Sequence, residues 1–322
     1  MPEWLVERGI GETRAVLVDQ GEILEARIEL DETVPAGTVL WARLKSTGGA
    51  NGHAVAVGQS GTEFILPRGA PGIVEGAQLS IEVTRPRIPG NEAWKRPQAR
   101  VSDKAPQAAS ELAERLAGRL LPFPASTDTL AELGWADLVE EARTGIMRFG
   151  GGELRISPTP AMTLIDVDGY LPAEELAIAG AREAGKAIRR LDIGGSIGID
   201  LPTAGSRVAR QQAASALDAV LQQPFERTAV NGFGFVQIVR PRTRPSLVEL
   251  AHDRGPFEAR ALLRGAAFAG PGPKRLAAHP AVIRAIEDRP DWVETLARQV
   301  GGAIELRADA GLPISGGYVE TL

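Results

Sequence analysis

The feature that most constrains the fold is an alternation of strand-like and helical segments between residues 161 and 239. Three short runs rich in β-branched residues are separated by two helical stretches. The predicted strands are 161–167, 194–201 and 230–239, and the predicted helices are 173–191 and 205–221. Strands joined by helices of this length predict an α/β unit, and the pattern leaves parallel and antiparallel pairing both open.

The first two predicted strands end in aspartates. Because residues i and i+2 of a strand share a face, Asp166 and Asp168 point away from the isoleucine and valine that flank them. Asp200 lies on the corresponding face of the second strand, and the small Ser196 and Gly198 before it are expected to leave its approach open. If the two strands are neighbours, the three carboxylates meet at one edge of the sheet.

Three adjacent carboxylates repel one another unless a cation lies between them. A hard cation with oxygen ligands and retained waters is the usual solution, which predicts Mg²⁺, with Mn²⁺ as a second choice. The alternative interpretation is that Asp166, Asp168 and Asp200 are solvated acids at strand ends, where aspartate is common. The pattern alone leaves both interpretations open.

The flanking segments predict separate units. Residues 13–18 and 23–30 predict a hairpin, and the short strands between residues 37 and 100 predict a small barrel or sandwich. A polar linker at 101–107 is followed by further predicted elements. These are helices at 109–121, 126–147, 257–267 and 281–300, and a short strand at 303–307.

Composition narrows the chemistry. The chain of 322 residues has 36 basic and 41 acidic residues, so a net charge of −5 disfavours binding of polyanions by bulk charge and leaves local basic patches. It has no cysteine and its three histidines lie far apart, which excludes disulfides and thiolate–zinc sites. An acidic N-terminal segment and the lack of a long apolar run predict a cytoplasmic protein with no membrane partner.

Three motifs carry a resemblance to a known family. They are the segment MTLIDVDG at 162–169, the segment AIRRLDIGGSIGIDLP at 187–202 and the segment NGFGFVQIVRPRTRPSL at 231–247. In order and spacing they resemble the catalytic core of the ribonuclease E/G family, most closely between residues 145 and 250. The resemblance implies that Asp166 and Asp200 bind the catalytic Mg²⁺. It places Asp168 where the family usually has asparagine.

The resemblance also implies an α+β fold: an RNase H-like/DNase I-like α/β catalytic core, an inserted S1 (oligonucleotide-binding) β-barrel and a small C-terminal α/β segment. The expected units are listed in chain order. They are an N-terminal hairpin of the RNase H-like part (1–36), the barrel (37–104), the helical remainder of the RNase H-like part (105–155), the metal-binding core (156–250) and a C-terminal domain (251–322).

The chain departs from the family pattern at several positions. Without cysteine it cannot form the zinc link that joins family protomers, so a zinc-linked dimer is excluded, and the sequence fixes no other oligomeric state. The arginine–threonine pocket that senses a 5′-monophosphate has no counterpart. Thr203 replaces an acid, and Gly232 replaces the arginine of a family turn.

Candidate RNA contacts fall in three places. Phe64 aligns with a base-stacking aromatic of the family's barrel, with burial in the barrel core as the alternative. The segment 85–100 combines cations with an aromatic, which suits a single-stranded track or, alternatively, a solvated basic hairpin. Its candidate residues are Arg85, Arg87, Trp94 and Lys95. Arg240, Arg242 and Arg244 follow a core strand and are expected to contact phosphates around the scissile bond.

Together these features predict a Mg²⁺-dependent endoribonuclease that hydrolyses single-stranded RNA, with Asp166, Asp168 and Asp200 as catalytic residues. The resemblance implies products with 5′-phosphate and 3′-hydroxyl ends. A second hypothesis is a non-catalytic RNA-binding protein that has lost activity together with the sensor and the clamp. A third, a structural partner of RNA-processing proteins, has no motif in its favour.

Overall fold

A computed structural model of the protein describes residues 1–48, 53–89 and 95–322. The chain begins with three antiparallel strands: β1 (Glu3–Arg8), β2 (Glu12–Asp19) and β3 (Glu22–Leu30). The predicted hairpin is confirmed as β2 and β3. Its turn is tight because Gln20 and Gly21 both have positive φ, 50° and 84°. The strand β1 was not predicted.

A closed five-stranded barrel follows. Its strands are β4 (Val39–Ser46), β5 (Ala54–Gly58), β6 (Glu63–Leu66), β7 (Gln78–Arg85) and β8 (Gln98–Val101). They close in the order β4-β5-β6-β8-β7, with β6 and β8 parallel and the other pairs antiparallel. The barrel has its own apolar core. The prediction of a small barrel is confirmed, although β8 lies inside the segment that was interpreted as a basic track.

The two helices predicted after the barrel are largely broken up. The elements here are α1 (Leu112–Leu116), β9 (Arg119–Leu121), α2 (Thr129–Glu132) and α3 (Trp135–Thr144). The helix α1 stops at Ala117, which is left-handed, and a Cβ at Gly118 would lie 2.7 Å from Val6 Cγ2. The chain can therefore approach β1 closely, and β9 pairs with it in parallel. The longer predicted helix breaks at Gly134, whose φ is 87°.

A six-stranded sheet forms the centre of the molecule. Its elements in chain order are β10 (Ile146–Phe149), β11 (Gly152–Pro158), β12 (Thr163–Gly169), α4 (Ala173–Arg190), β13 (Gly195–Asp200), α5 (Arg207–Asp218), β14 (Glu226–Arg227) and β15 (Phe235–Arg240). The strand order is β10-β11-β12-β13-β15-β14, and only β12 and β13 are parallel. The predicted alternation is confirmed, and β10, β11 and β14 extend it.

The C-terminal part forms a smaller unit. It contains α6 (Leu247–His252), α7 (Arg254–Phe268), β16 (Lys274–Ala278), α8 (Pro280–Glu287), α9 (Pro290–Val300), β17 (Ile304–Ala308) and β18 (Tyr318–Thr321). The three strands pair in the order β17-β16-β18. The single helix predicted over 281–300 divides at Arg289, the residue before Pro290, because a proline disfavours helical geometry in its predecessor.

One apolar core joins the first hairpin to the six-stranded sheet. Val16 and Ile28 of the hairpin, Leu138 of α3 and the inward residues of β12 and β13 are all buried in it. The barrel is inserted in the chain between β3 and β9, two strands of the same sheet. The protein is thus a mixed α+β fold with several sheets. Within the described residues no helix has the length and apolar character needed to span a membrane.

A buried ion network attaches the hairpin to α7. Arg264 donates to Glu7 through Nε and Nη2, at 2.8 and 2.9 Å, and also bonds Asp128 ahead of α2. Arg260 donates to Glu12 at 2.9 Å, and Arg14 bridges Glu7 and Glu12. Burial opposes the charged form of Arg264, but its bonds to Asp128 and Glu7 outweigh it and raise the pKa of the guanidinium.

Candidate active site

The two metal-binding candidates lie side by side. The strands β12 and β13 are parallel neighbours, and Asp166 and Asp200 are direct partners in their register. The register is fixed by the preceding pair, Ile165 and Ile199, which are both fully buried. Side chains at paired positions of neighbouring strands project to the same face, and the strands of a sheet lie about 4.8 Å apart. The two carboxylates therefore stand next to each other on the exposed face of the sheet.

Asp168 lies two residues further along β12, on the same face, opposite Glu153 of β11. Burial, Asp168 and Asp200 raise the pKa of Asp166, while Arg155 and a backbone hydrogen bond act in the opposite direction. Asp166 is thus held beside two like charges, and this crowding favours either protonation or a bound cation.

One arginine shares this face. Arg155 of β11 is the register partner of Asp166, but its Nε and Nη2 both donate to Glu153, at 2.9 and 2.8 Å. Its charge is therefore divided between Glu153 and the aspartates. Among the described residues, the side chains of Asp166, Asp168 and Asp200 form no ion pair within 4 Å, and all three residues are exposed to solvent.

The donor set suits a cation that keeps most of its waters. Across residues 1–48, 53–89 and 95–322, no group of three or more histidine, aspartate or glutamate side chains is arranged to hold a metal ion. The predicted site of three carboxylates is thus reduced to the adjacent pair Asp166 and Asp200, and Asp168 lies two residues further along β12 than Asp166. Mg²⁺ commonly binds through one or two carboxylates and completes its shell with water and substrate phosphate. The pair fits such an ion.

The approach to Asp200 differs from the expectation. A Cβ at Gly198 would lie 2.6 Å from Phe235 Cζ and 3.0 Å from Leu164 Cδ2, so the ring of Phe235 covers this glycine. The approach is open at Asp200 itself but closed at Gly198. The ring and Leu164 form an apolar floor beside the carboxylates, and Gly198 is needed to seat the ring.

Two exposed aromatic residues near the carboxylates were not predicted. Tyr170, two residues after Asp168, is 85% exposed, and Phe233 is 82% exposed. Phe233 sits in a turn in which Asn231 Oδ1 accepts the backbone N–H of Phe233 at 2.9 Å. Its carbonyl accepts the Thr203 hydroxyl at 3.2 Å, which fastens the turn beside the loop that follows Asp200. The flanking glycines, 232 and 234, were the sequence signal for a turn rather than a buried strand.

The prediction of base stacking by Phe64 is wrong in this structure. Phe64 is only 1% exposed and belongs to the barrel core, the alternative that the sequence allowed. Its ring contacts the position of Gly58, where a Cβ would lie 3.2 Å from Phe64 Cε2. An outward neighbour in the strand could stack on a base, but a residue of the inward set cannot.

The predicted basic track of the barrel is only partly described. Arg87 is exposed and Lys95 is half-buried, whereas Trp94 lies outside the described residues. Arg85 is half-buried and donates to the carbonyl of Arg96 at 3.0 Å. Burial and the neighbouring Arg242 lower the pKa of Arg85. This end of the barrel therefore lies near the segment after β15. The interpretation of this segment as an RNA track stays a prediction.

The structure places Arg240, Arg242 and Arg244 away from the carboxylates, and their contact with RNA phosphates stays a prediction. In the β13–β15 register Arg240 pairs with Gly195, whereas Asp200 pairs with Phe235, so the arginines lie at the far end of the strand. Arg240 donates to the carbonyl of Ile193 at 2.9 Å. Arg242 pairs with Glu249, and Arg244 pairs with Asp192 at 2.8 Å. Antiparallel pairing of β15 moved this segment away from the carboxylates.

Comparison with known proteins adds no relative: no family model matches the chain, and no curated protein matches it. The geometry of Asp166 and Asp200 and the motif resemblance are therefore the grounds for a functional assignment.

Proposed function

We propose that the protein is a metal-dependent endoribonuclease that hydrolyses single-stranded RNA, with the fold organisation of the ribonuclease E/G catalytic region. The observation that carries the proposal is the direct pairing of Asp166 and Asp200 on parallel strands, with both carboxylates exposed to solvent. Exposed acids at adjacent strand ends that form no ion pair within the described residues suit a divalent ion better than they suit the fold.

The architecture supports the proposal in two ways. The barrel is inserted between two strands of one sheet, as the resemblance implies for an S1 barrel within an RNase H-like part. Its strand order, with a single parallel pair β6–β8, agrees with a five-stranded oligonucleotide-binding barrel. Many barrels of this kind bind single-stranded nucleic acids, so the same feature supports single-stranded RNA as the substrate class.

In the proposed chemistry Asp166 and Asp200 would hold Mg²⁺, or Mn²⁺ in its place. A bound Mg²⁺ lowers the pKa of a coordinated water and stabilises charge on the attacked phosphate. Asp168 would orient one of these two aspartates or add a further oxygen ligand. Arg155 limits the negative charge of the face through its contact with Glu153 and leaves the aspartate oxygens available. Hydrolysis would leave a 5′-phosphate and a 3′-hydroxyl.

The test is cleavage of a 5′-labelled single-stranded RNA by wild-type protein and two variants purified in parallel. Asp200→Asn should reduce the rate by about 1,000-fold or more, because it removes one of two carboxylates that hold the charge-stabilising ion. Asp168→Asn, which restores the amide usual in the family, is the matched control and should stay within about tenfold of wild type. Cleavage that persists in EDTA, or in Asp200→Asn, would contradict the proposal.

A non-catalytic RNA-binding protein is the second candidate, and one observation favours it. No third carboxylate or histidine joins the pair within the described part of the chain. Wild-type protein that binds the same RNA in EDTA and leaves it intact in Mg²⁺ or Mn²⁺ would establish this candidate and reject the nuclease.

A further inference from the structure

A groove of about 670 Å³ runs between the exposed face of α5 and residues 227–230. Its polar lining consists of Arg207, Arg210, Gln211, Ser215 and Arg227. None of the described residues that line it is acidic. In a chain with a net charge of −5, a groove lined by three arginines and no carboxylate is a local reversal of sign.

The arginines of the groove differ in how much of their charge is compensated. Arg227 donates to Asp218 at 2.7 Å through Nε, so a carboxylate at the groove's edge offsets its charge. Within the described part of the chain, the side chain of Arg210 donates to backbone carbonyls alone, those of Ala204 and Gly205, which carry no net charge. Arg207 is exposed and makes no ion pair within the described residues. Two cations therefore remain available to an anionic ligand.

Both segments that line the groove adjoin the candidate active site along the chain. The residues that line it include Arg207, which is seven residues after Asp200 in the chain, and Val230, which directly precedes the turn that carries Phe233. The bond from Thr203 to the Phe233 carbonyl joins these two segments. Arg207 is also the first residue of α5, which Ser206 caps, so the positive end of the helix dipole lies at the same place.

We propose that this groove binds the sugar–phosphate backbone of single-stranded RNA on one side of the scissile phosphate, and that a base stacks on Phe233. The inference deepens the proposed nuclease function and rests on it. Arginines supply the phosphate contacts, and an exposed aromatic ring supplies a stacking platform that accepts any base. The sequence placed its candidate RNA-binding cations in the segment 85–100 and after β15, whereas the groove adds arginines of α5, which lies in the chain between the aspartate strand and the Phe233 turn.

Binding can be separated from cleavage by working in EDTA with Asp200→Asn protein and a fluorescent single-stranded RNA. In this background Arg207→Glu should weaken the affinity at least tenfold at low salt. It should also reduce the slope of log K against log salt by about one. Phe233→Ala should weaken it about fivefold or more, but should have little effect on an abasic oligonucleotide of the same length. Arg284→Glu, at an exposed arginine of α8, is the matched control and should bind as the background protein does.

The outcomes distinguish the groove from the function. If wild-type protein cuts RNA while Arg207→Glu and Phe233→Ala leave the RNA affinity of the Asp200→Asn background unchanged, the groove is overturned and the nuclease stands. An equal loss in Arg284→Glu also overturns the groove, because the effect is then general electrostatics. A wild-type protein that neither binds nor cuts RNA rejects the proposed function itself.

Discussion

Two clusters of charged side chains in this protein have opposite surroundings. The network of Glu7, Glu12, Arg14, Arg260 and Arg264 is buried, and each of its charges has a partner of opposite sign. The face that carries Asp166, Asp168 and Asp200 is exposed, and the charge of Arg155 offsets part of the repulsion at Asp166. The charges of the first cluster are compensated within the protein, whereas the second cluster has like charges side by side.

The difference separates structural from functional charge. Burial of an ion costs several kcal/mol, so a buried charge persists only where hydrogen bonds and opposite charges offset that cost. An exposed acid needs no protein partner to remain ionised. When exposed acids are placed side by side, however, their repulsion has to be tolerated or relieved by something that binds. The buried network thus explains how the hairpin is held to α7, and the exposed row explains where a cation would act.

The largest effect is expected when the buried network is broken. Glu7→Gln leaves Arg14 and Arg264 buried with too little negative charge, and should lower the free energy of unfolding by about 3–5 kcal/mol. Urea denaturation followed by circular dichroism measures it. Glu3→Gln is the control: Glu3 pairs with Arg119 at 2.8 Å, with side chains 53% and 56% exposed, and its loss should cost much less than the loss of Glu7. Equal losses in the two variants would show that burial does not distinguish these pairs.

A smaller effect is expected at the carboxylate face when a metal is added. A cation that binds only the folded state at ten times its dissociation constant stabilises the protein by about 1.4 kcal/mol. Wild-type protein should therefore melt at a higher temperature in Mg²⁺ or Mn²⁺ than in EDTA, and Asp200→Asn should lose most of this gain. A thermal melt that responds equally in both proteins would place the cation elsewhere.

The sequence predicted the part of this comparison that depends on local patterns. Alternation within two short strands was enough to put Asp166 and Asp200 on one face, and their order in the chain suggested adjacent strands. The buried network could not be predicted in this way, because Arg264 and Glu7 lie 257 residues apart and each looks like a surface residue of its own element.

Tertiary contacts also overrode local propensity elsewhere. Residues 119–121 continue a helical pattern, yet they form β9 because β1 offers an unpaired edge. Phe64 was assigned to the wrong face of its strand, since a four-residue strand gives too little alternation to decide which side is inward. The sequence showed that the arginines follow β15 but not that they lie away from the carboxylates. The direction of β15 depends on strand pairing, which the pattern left open.

The smallest effect on stability is expected when a mutation, and not a metal, relieves the repulsion among the aspartates. The fold raises the pKa of the Asp166 carboxyl above its ordinary value of 3.8. The folded protein therefore loses stability as the pH rises from 3.8 through the raised pKa, because the carboxyl then has to ionise beside two like charges. In EDTA at pH 7, Asp166→Asn should therefore be more stable than wild type by about 0.2–1 kcal/mol. The stability gain of Asp166→Asn should shrink as the pH falls towards 4 and the wild-type carboxyl takes up a proton. Added Mg²⁺ should instead make wild type the more stable protein. Asp103→Asn, at an exposed residue after the barrel, should differ from wild type by no more than about 0.5 kcal/mol at either pH. If Asp166→Asn were instead less stable at pH 7 in EDTA, Asp166 would belong with Glu7 among the structural charges, and the contrast between the two clusters would fail.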